Sequence, residues 1–181
     1  MDAVHYAPHA PIDVQAWDCD FLACSAYKFF GPHVGILYGK RELLERLHAY
    51  KVRPQESVPP FKFETGTLNH EGLAGTRAAL EYLSDLGKKF ETEWARAFPR
   101  FEQRKLRLKC AMAAIQAYEQ RLSGELIAGL QAIPGVKIYG ITDPGHLPHR
   151  TPTVAMRNAL AEARADLAAL EREIGALGAN R

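Results

Sequence analysis

The sequence predicts an α/β chain: a piece of an α/β layer followed by a smaller α+β unit. Two short apolar runs, "DFLACSA" at 20–26 and "VGILYG" at 34–39, flank a Gly31-Pro32 turn. Helical periodicity then dominates from Leu73 onward. Late in the chain two further strand-like runs, "GVKIYGI" and "TVAM", lie between helical stretches. Short apolar runs bounded by turn residues read as strands, and this mixed order of elements builds layered α/β and α+β domains.

Each element follows from its residues. "DFLACSA", from Asp20 to Ala26, is a candidate buried strand, and Val34–Gly39 is its successor across the glycine-proline turn. "RELLERLHAY", Arg41 to Tyr50, has apolar residues at helical spacing and predicts a short helix. "RPQESVPPFKFETGTLNHEG" is rich in proline, glycine and hydroxyls and predicts a long irregular loop, a class of segment that is often functional. "LAGTRAALEYLSDL" predicts a connecting helix over Leu73–Leu86, ending at Gly87. Phe101 to about Ala132 reads as one long amphipathic helix, broken or weakened near Ser123-Gly124. Strands are expected at Gly135–Ile141 and Thr153–Met156, with "DPGHLPHRTP" as the loop between them. Asn158 is placed to cap a last helix, whose Leu160, Ala163, Leu167, Leu170, Ile174 and Leu177 alternate spacings of three and four in one apolar stripe. The expected organisation is a partial large domain at 1–72, a connecting helix and linker at 73–100, and a small α+β domain at 101–181.

Composition narrows the classes of function. The 181 residues are 47% hydrophobic and 24% charged, the balance of a soluble globular protein. A net charge of +2 gives no argument for nucleic acid or an anionic membrane as partner. No apolar run approaches the roughly 18 residues of a membrane span, and "MDAVHYAPHAPID" lacks the basic start and apolar core of a signal peptide. Cys19, Cys24 and Cys110 are odd in number and lack metal-ligand spacing, so they read as reduced thiols of a cytoplasmic protein, with no metal expected.

Within "CSAYKFFGPHVGILYG" a single lysine, Lys28, stands between Tyr27 and two phenylalanines. A lysine at a strand end can simply be a solvated charge. Aromatic neighbours and a following apolar strand predict partial burial, which disfavours the ammonium. A neutral amine attacks carbonyls, and pyridoxal phosphate (PLP) is the common cofactor that needs such a group. PLP also needs an acid for its pyridine nitrogen, donors for its phosphate and a group near its phenolic oxygen. Asp2, His5, Ser25 and the "TGT" segment Thr65–Thr67 offer these chemistries. Each has an ordinary structural reading beside it. Asp2 can be a terminal charge at a chain end expected to fray, His5 and His9 loop histidines, Ser25 a strand hydroxyl, and the threonines turn residues. Cys24 reads as a small core residue, and His146, His149 and Arg150 as a solvated loop.

Taken together, "DAVHYAPH", "DFLACSAYKFFGPHVGILYG" and "FETGTLNHEG", in this order and spacing, resemble class V aminotransferases of fold type I, most closely the cysteine desulfurase-like (selenocysteine lyase) branch. The resemblance runs well from Asp2 to about Gly87 and more loosely to about Met156. It implies the large domain of a PLP-dependent transferase followed by a small α+β domain. It makes Lys28 the Schiff-base lysine and Asp2 the partner of the pyridine nitrogen. His5 stands where the family has glutamine or histidine near the phenolic oxygen. Ser25 would touch the phosphate, Tyr27 occupies a place that is histidine in many desulfurases, and Thr67 would reach the phosphate of the neighbouring subunit in a homodimer. The implied substrate is an amino acid such as cysteine or selenocysteine.

The chain also departs from that pattern. It lacks the family's N-terminal half with its glycine-hydroxyl phosphate loop, and after "HRTPTVAM" it runs into an alanine-rich helix without a family counterpart. The expectation is therefore the C-terminal portion of such an enzyme, divergent after about residue 156 and not competent by itself. The alternative expectation is a noncatalytic module that binds no cofactor and associates with a partner.

Overall fold

A computed structural model describes the backbone of residues 1–178 and the side chains of residues 1–172. The chain divides into two compact units, Met1–Ala117 and Tyr118–Arg181.

The first unit is built on a hairpin. β1 (Phe21–Ser25) pairs antiparallel with β2 (Gly35–Gly39), with Ala23 opposite Leu37 and Ser25 opposite Gly35. Side chains alternate between faces along each strand. Leu22, Cys24, Ile36 and Tyr38 consequently point to the core side, where Leu22 is 4% exposed, while Leu37 on the other face is 64% exposed. The expected buried strands are therefore half-buried. Their inner face packs, and their outer face is open.

Helices cover the inner face. Ala26, Phe29 and Leu83 form a buried cluster to which Val34, Ile36, Leu108, Met112 and Ile115 add their side chains. α1 (Arg41–Arg46) follows β2 and ends earlier than the expected Tyr50, because Leu47 turns extended at ψ 136°. α2 (His70–Lys89) starts earlier than expected. Asn69 caps it, its side-chain oxygen accepting from the Gly72 N–H at 2.9 Å, which satisfies a donor left orphaned at the helix start. The short α3 (Glu91–Trp94) leads toward α4 (Gln103–Gln131). α4 is continuous through Ser123-Gly124, where a break or weakening was expected, and Ser123 is buried. At Gly87 the backbones of α2 and α4 come close enough that a Cβ there would lie 1.8 Å from the Arg107 carbonyl oxygen. Glycine permits this approach because it has no side chain.

The segment before β1 is tied to α4 and to the turn that precedes it. The Asp13 carboxylate pairs with Arg100 at 2.5 Å, and Lys109 donates to the Ile12 carbonyl at 2.5 Å. Burial holds the Lys109 amine below its ordinary range, while the Ala16 N–H and neighbouring cations hold Asp13 below the usual carboxylate range.

In the second unit the later part of α4 is followed by β3 (Val136–Tyr139) and β4 (Ala155–Asn158), paired antiparallel, with a 3-10 turn at Pro144–His149 between them. α5 (Ala159–Gly178) closes the chain. Asn158 caps it as the sequence predicts, accepting from Leu160 N at 3.1 Å and Ala161 N at 3.2 Å. Of the expected stripe, the side chains of Ile174 and Leu177 lie outside the described residues.

Candidate functional site

The site begins where β1 stops. Ser25 is the last strand residue, and Ala26–Phe29 then wind into a 3-10 turn. The turn buries Ala26 at 0% and Phe29 at 8% exposure, so the two residues between them, Tyr27 and Lys28, point outward. Phe30 closes the turn with φ +69°, a left-handed conformation that is costly for a non-glycine residue. Gly31 then passes so close to Ala26 that a Cβ would meet its carbonyl oxygen at 2.9 Å. The partial burial expected of Lys28 is thus not found. It is exposed, because the inner positions of the turn belong to Ala26 and Phe29.

Aromatic rings order this exposed surface. Tyr27 stacks on His33, with centroids 4.9 Å apart and planes 21° from parallel. The Lys28 ammonium lies 5.0 Å from the Tyr27 ring centroid, a cation–π contact. Sequence reasoning missed His33. Its signal was an aromatic ring just past the Gly31-Pro32 turn, where the chain doubles back toward Tyr27.

Asp2 lies beside the same strand. Its neighbours pair with β1 in parallel fashion: Ala23 N–H donates to the Met1 carbonyl at 3.0 Å, and Ala3 N–H donates to the Ala23 carbonyl at 2.8 Å. The Met1 amine also donates to the Phe21 carbonyl at 2.8 Å. Asp2 is therefore held by backbone bonds, although its end of the chain was expected to fray. Residues bridged in this way point to the same side of a sheet, and alternation puts Ser25 on that side too. The Asp2 carboxylate accepts from the Val4 N–H at 2.9 Å, and a groove lined by Met1, Asp2, Ala3, Tyr6 and Trp17 adjoins it. His5 is exposed, edge-on to His9 at 5.1 Å.

Thr67 comes from elsewhere. It is exposed on the loop after Gly66, while Thr65 and Gly66 line a separate groove with His48, Tyr50, Lys51 and Gln55. That loop is anchored by a residue the sequence did not single out. Lys62 is 6% exposed, and its ammonium donates to the carbonyls of Glu45 at 3.0 Å and Leu47 at 2.9 Å, closing the end of α1. Gln55 adds bonds to the Phe61 and Glu64 carbonyls at 2.8 and 3.2 Å. A lysine framed by two phenylalanines in "FKF" was the available signal.

The remaining candidates play other parts. Cys24 is half-buried, and burial pushes its thiol up, away from the thiolate that a nucleophile requires. Among the described residues no three of His, Cys, Asp and Glu gather as a metal site, and no helix is long and apolar enough to cross a membrane. A carboxylate, a hydroxyl and an exposed amine thus line one strand and its terminal turn. As a donor set they fit PLP: an acid for the ring nitrogen, a hydroxyl for the phosphate and an amine for the aldehyde.

Residues 1–108 match the family model described as Aminotransferase class-V, a span that contains Asp2, His5, Ser25, Tyr27, Lys28 and Thr67. A cysteine desulfurase of Serratia proteamaculans is 32% identical over 153 residues, covering 77% of this chain and 32% of that protein. A cysteine desulfurase of Escherichia coli O127:H6 is 33% identical over 156 residues, covering 79% of this chain and 32% of its own. The crystal structure of the cysteine desulfurase CsdA from Escherichia coli superposes with a TM-score of 0.58 at 28% identity, over 87% of this chain and 35% of that one. The chain spans about a third of the length of the curated relatives it matches.

Proposed function

The chain belongs to the aminotransferase class-V family, and on that premise we propose that it carries part of a PLP site of the cysteine desulfurase type, acting on an amino acid such as cysteine or selenocysteine. The observation that supports this most is the placement of Asp2 and Ser25 on one face of β1, with Lys28 exposed on the turn that follows. PLP, when bound, supplies an electron sink that makes the bonds at the substrate α-carbon labile.

The chain's own residues have defined tasks in this reading. Asp2 holds a proton on the ring nitrogen, an ionic contact that strengthens the sink. Ser25 donates to the phosphate. Lys28 supplies the amine that holds the cofactor and, when free, the base that moves the α-carbon proton. Tyr27, braced on His33, lies under the Lys28 ammonium and fixes the direction of its approach. His5 serves the phenolic oxygen. Thr67 serves the phosphate of a second subunit, which makes the active form a homodimer. The substrate and the homodimer are parts of this proposal, as are the domain limits 1–72, 73–100 and 101–181.

A PLP titration of the chain joined to the rest of the family fold tests the assignment. The expected result is a visible absorbance change that borohydride fixes as added mass on Lys28, together with sulfide release from cysteine when the rest of the family fold is present. No change in the spectrum, or mass fixed on another lysine, overturns it. A second reading, a noncatalytic association module, is favoured by one observation: on α5, Leu160, Leu167 and Leu170 are exposed at three-four spacing.

A further inference from the structure

In the second unit, α5 carries Leu160, Ala163, Leu167 and Leu170 at alternating spacings of three and four. Leu160, Leu167 and Leu170 are 56%, 59% and 57% exposed. Between 159 and 172 every residue is exposed except Glu162 and Ala168. A lone helix of this length is marginal in water, and most helices in proteins are stabilised by packing one face. Strict three-four alternation is a seven-residue repeat with apolar first and fourth positions. It makes the narrow seam of two helices that wrap each other, not the wider stripe of a helix lying on a globular core.

The flanking charges complement a second copy of the same helix in one direction only. With Leu160 and Leu167 at first positions of the repeat, Arg164 and Glu171 fall at fifth positions on one flank and Asp166 at a seventh position on the other. In a parallel pair of identical helices the seventh position faces the partner's next fifth position. Asp166 would then meet the partner's Glu171, carboxylate against carboxylate. In an antiparallel pair with Leu167 across from the partner's Leu170, fifth positions face each other. Arg164 then meets the partner's Glu171, and symmetry makes two such ion pairs. Among the described flank residues, attraction is confined to the Arg164 flank. Only the antiparallel arrangement contains attractive pairs.

We propose that α5 pairs antiparallel with the α5 of a second copy of this chain. The seam supplies the association and the Arg164 flank sets its direction. Nothing in this depends on Lys28 or on PLP. α5 also lies outside residues 1–108, the span of the family match.

Sedimentation equilibrium on the full chain, across a wide concentration range, is the test. The Thr67 dimer proposed above needs the rest of the family fold, so in this chain the wild type should show a monomer–dimer equilibrium through α5, and Leu167→Glu with Leu170→Glu should leave it monomeric. Arg164→Glu and Glu171→Arg should each weaken dimerisation about tenfold, because two pairs turn from attraction to repulsion, and the double reversal should restore it. These flank positions are exposed, so the charge variants remain informative if the leucine variant misfolds. A wild type that stays monomeric at its highest concentration overturns the proposal, as does a dimer indifferent to the leucine changes. A dimer strengthened by Glu171→Arg would be parallel and overturns the stated geometry, as does a double reversal that fails to restore pairing.

Discussion

Asp2 and Ser25 stand on the same face of one strand pair, twenty-three positions apart in the chain. The backbone bonds from Ala23 to Met1 and from Ala3 to Ala23 set that relation. Neither bond uses the Asp2 side chain, so Asp2→Asn should leave the fold intact. In a protein carrying this segment within the whole family fold, Asp2→Asn should bind PLP within about threefold of wild type and lose on the order of a hundredfold in turnover. Spectrophotometric titration beside a sulfide-release assay checks both. Lost cofactor with normal turnover per bound PLP would contradict the role.

Lys28→Ala should remove the PLP-dependent absorbance while changing stability by no more than about 0.5 kcal/mol, since the residue is exposed and its ammonium lies over Tyr27. Circular dichroism melts and the visible spectrum are the measurements. A spectrum unchanged by the substitution removes Lys28 from the site.

Gly87→Ala should destabilise the first unit by more than about 2 kcal/mol, because the added Cβ meets carbonyl backbone at 1.8 Å and one of two helices must move. The same change at Gly129, where nothing lies within 4 Å of an added Cβ, should stabilise α4 slightly through its propensity. Urea unfolding of the two variants distinguishes these effects, and equal midpoints would refute the close approach.

Lys62→Met keeps the length of the side chain and removes its three donors. The Glu45 and Leu47 carbonyls lose their partner, at a cost of about 1–3 kcal/mol. Lys62→Arg should recover part of the loss. Limited proteolysis between 48 and 66 should accelerate in the methionine variant and not in the arginine variant.

Cys24 should alkylate slowly at neutral pH. Burial favours the neutral thiol, so its folded pKa lies above the ordinary value and the thiolate fraction at a given pH is smaller than that of a free cysteine. The rate of iodoacetamide labelling should therefore keep rising at pH values where a free thiol has already levelled off. Fast labelling at pH 7 would show an activating neighbour.

Much of this was legible in sequence because it is local. The runs around Gly31-Pro32 announced two strands, the Asn158 cap announced α5, and the spacing of its leucines announced a seam, since side-chain periodicity is fixed by backbone geometry. The order of "DAVHYAPH", "SAYKFF" and "TGT" was enough to point to the family. What the residues could not state alone was where each side chain would face. Lys28 was expected to be partly buried by its aromatic neighbours, yet the 3-10 turn gives its inner positions to Ala26 and Phe29. Asp2 was expected to fray, yet two hydrogen bonds to a strand twenty residues away hold it. Nothing in the sequence singled out Lys62, whose partners are the two carbonyls left at the end of α1. Periodicity and turn chemistry act between neighbours in the chain, so the sequence by itself determined the elements and the residue types of the site. Burial and hydrogen-bond partners arise between residues distant in the chain, so only the tertiary structure decided which of those residues face one another.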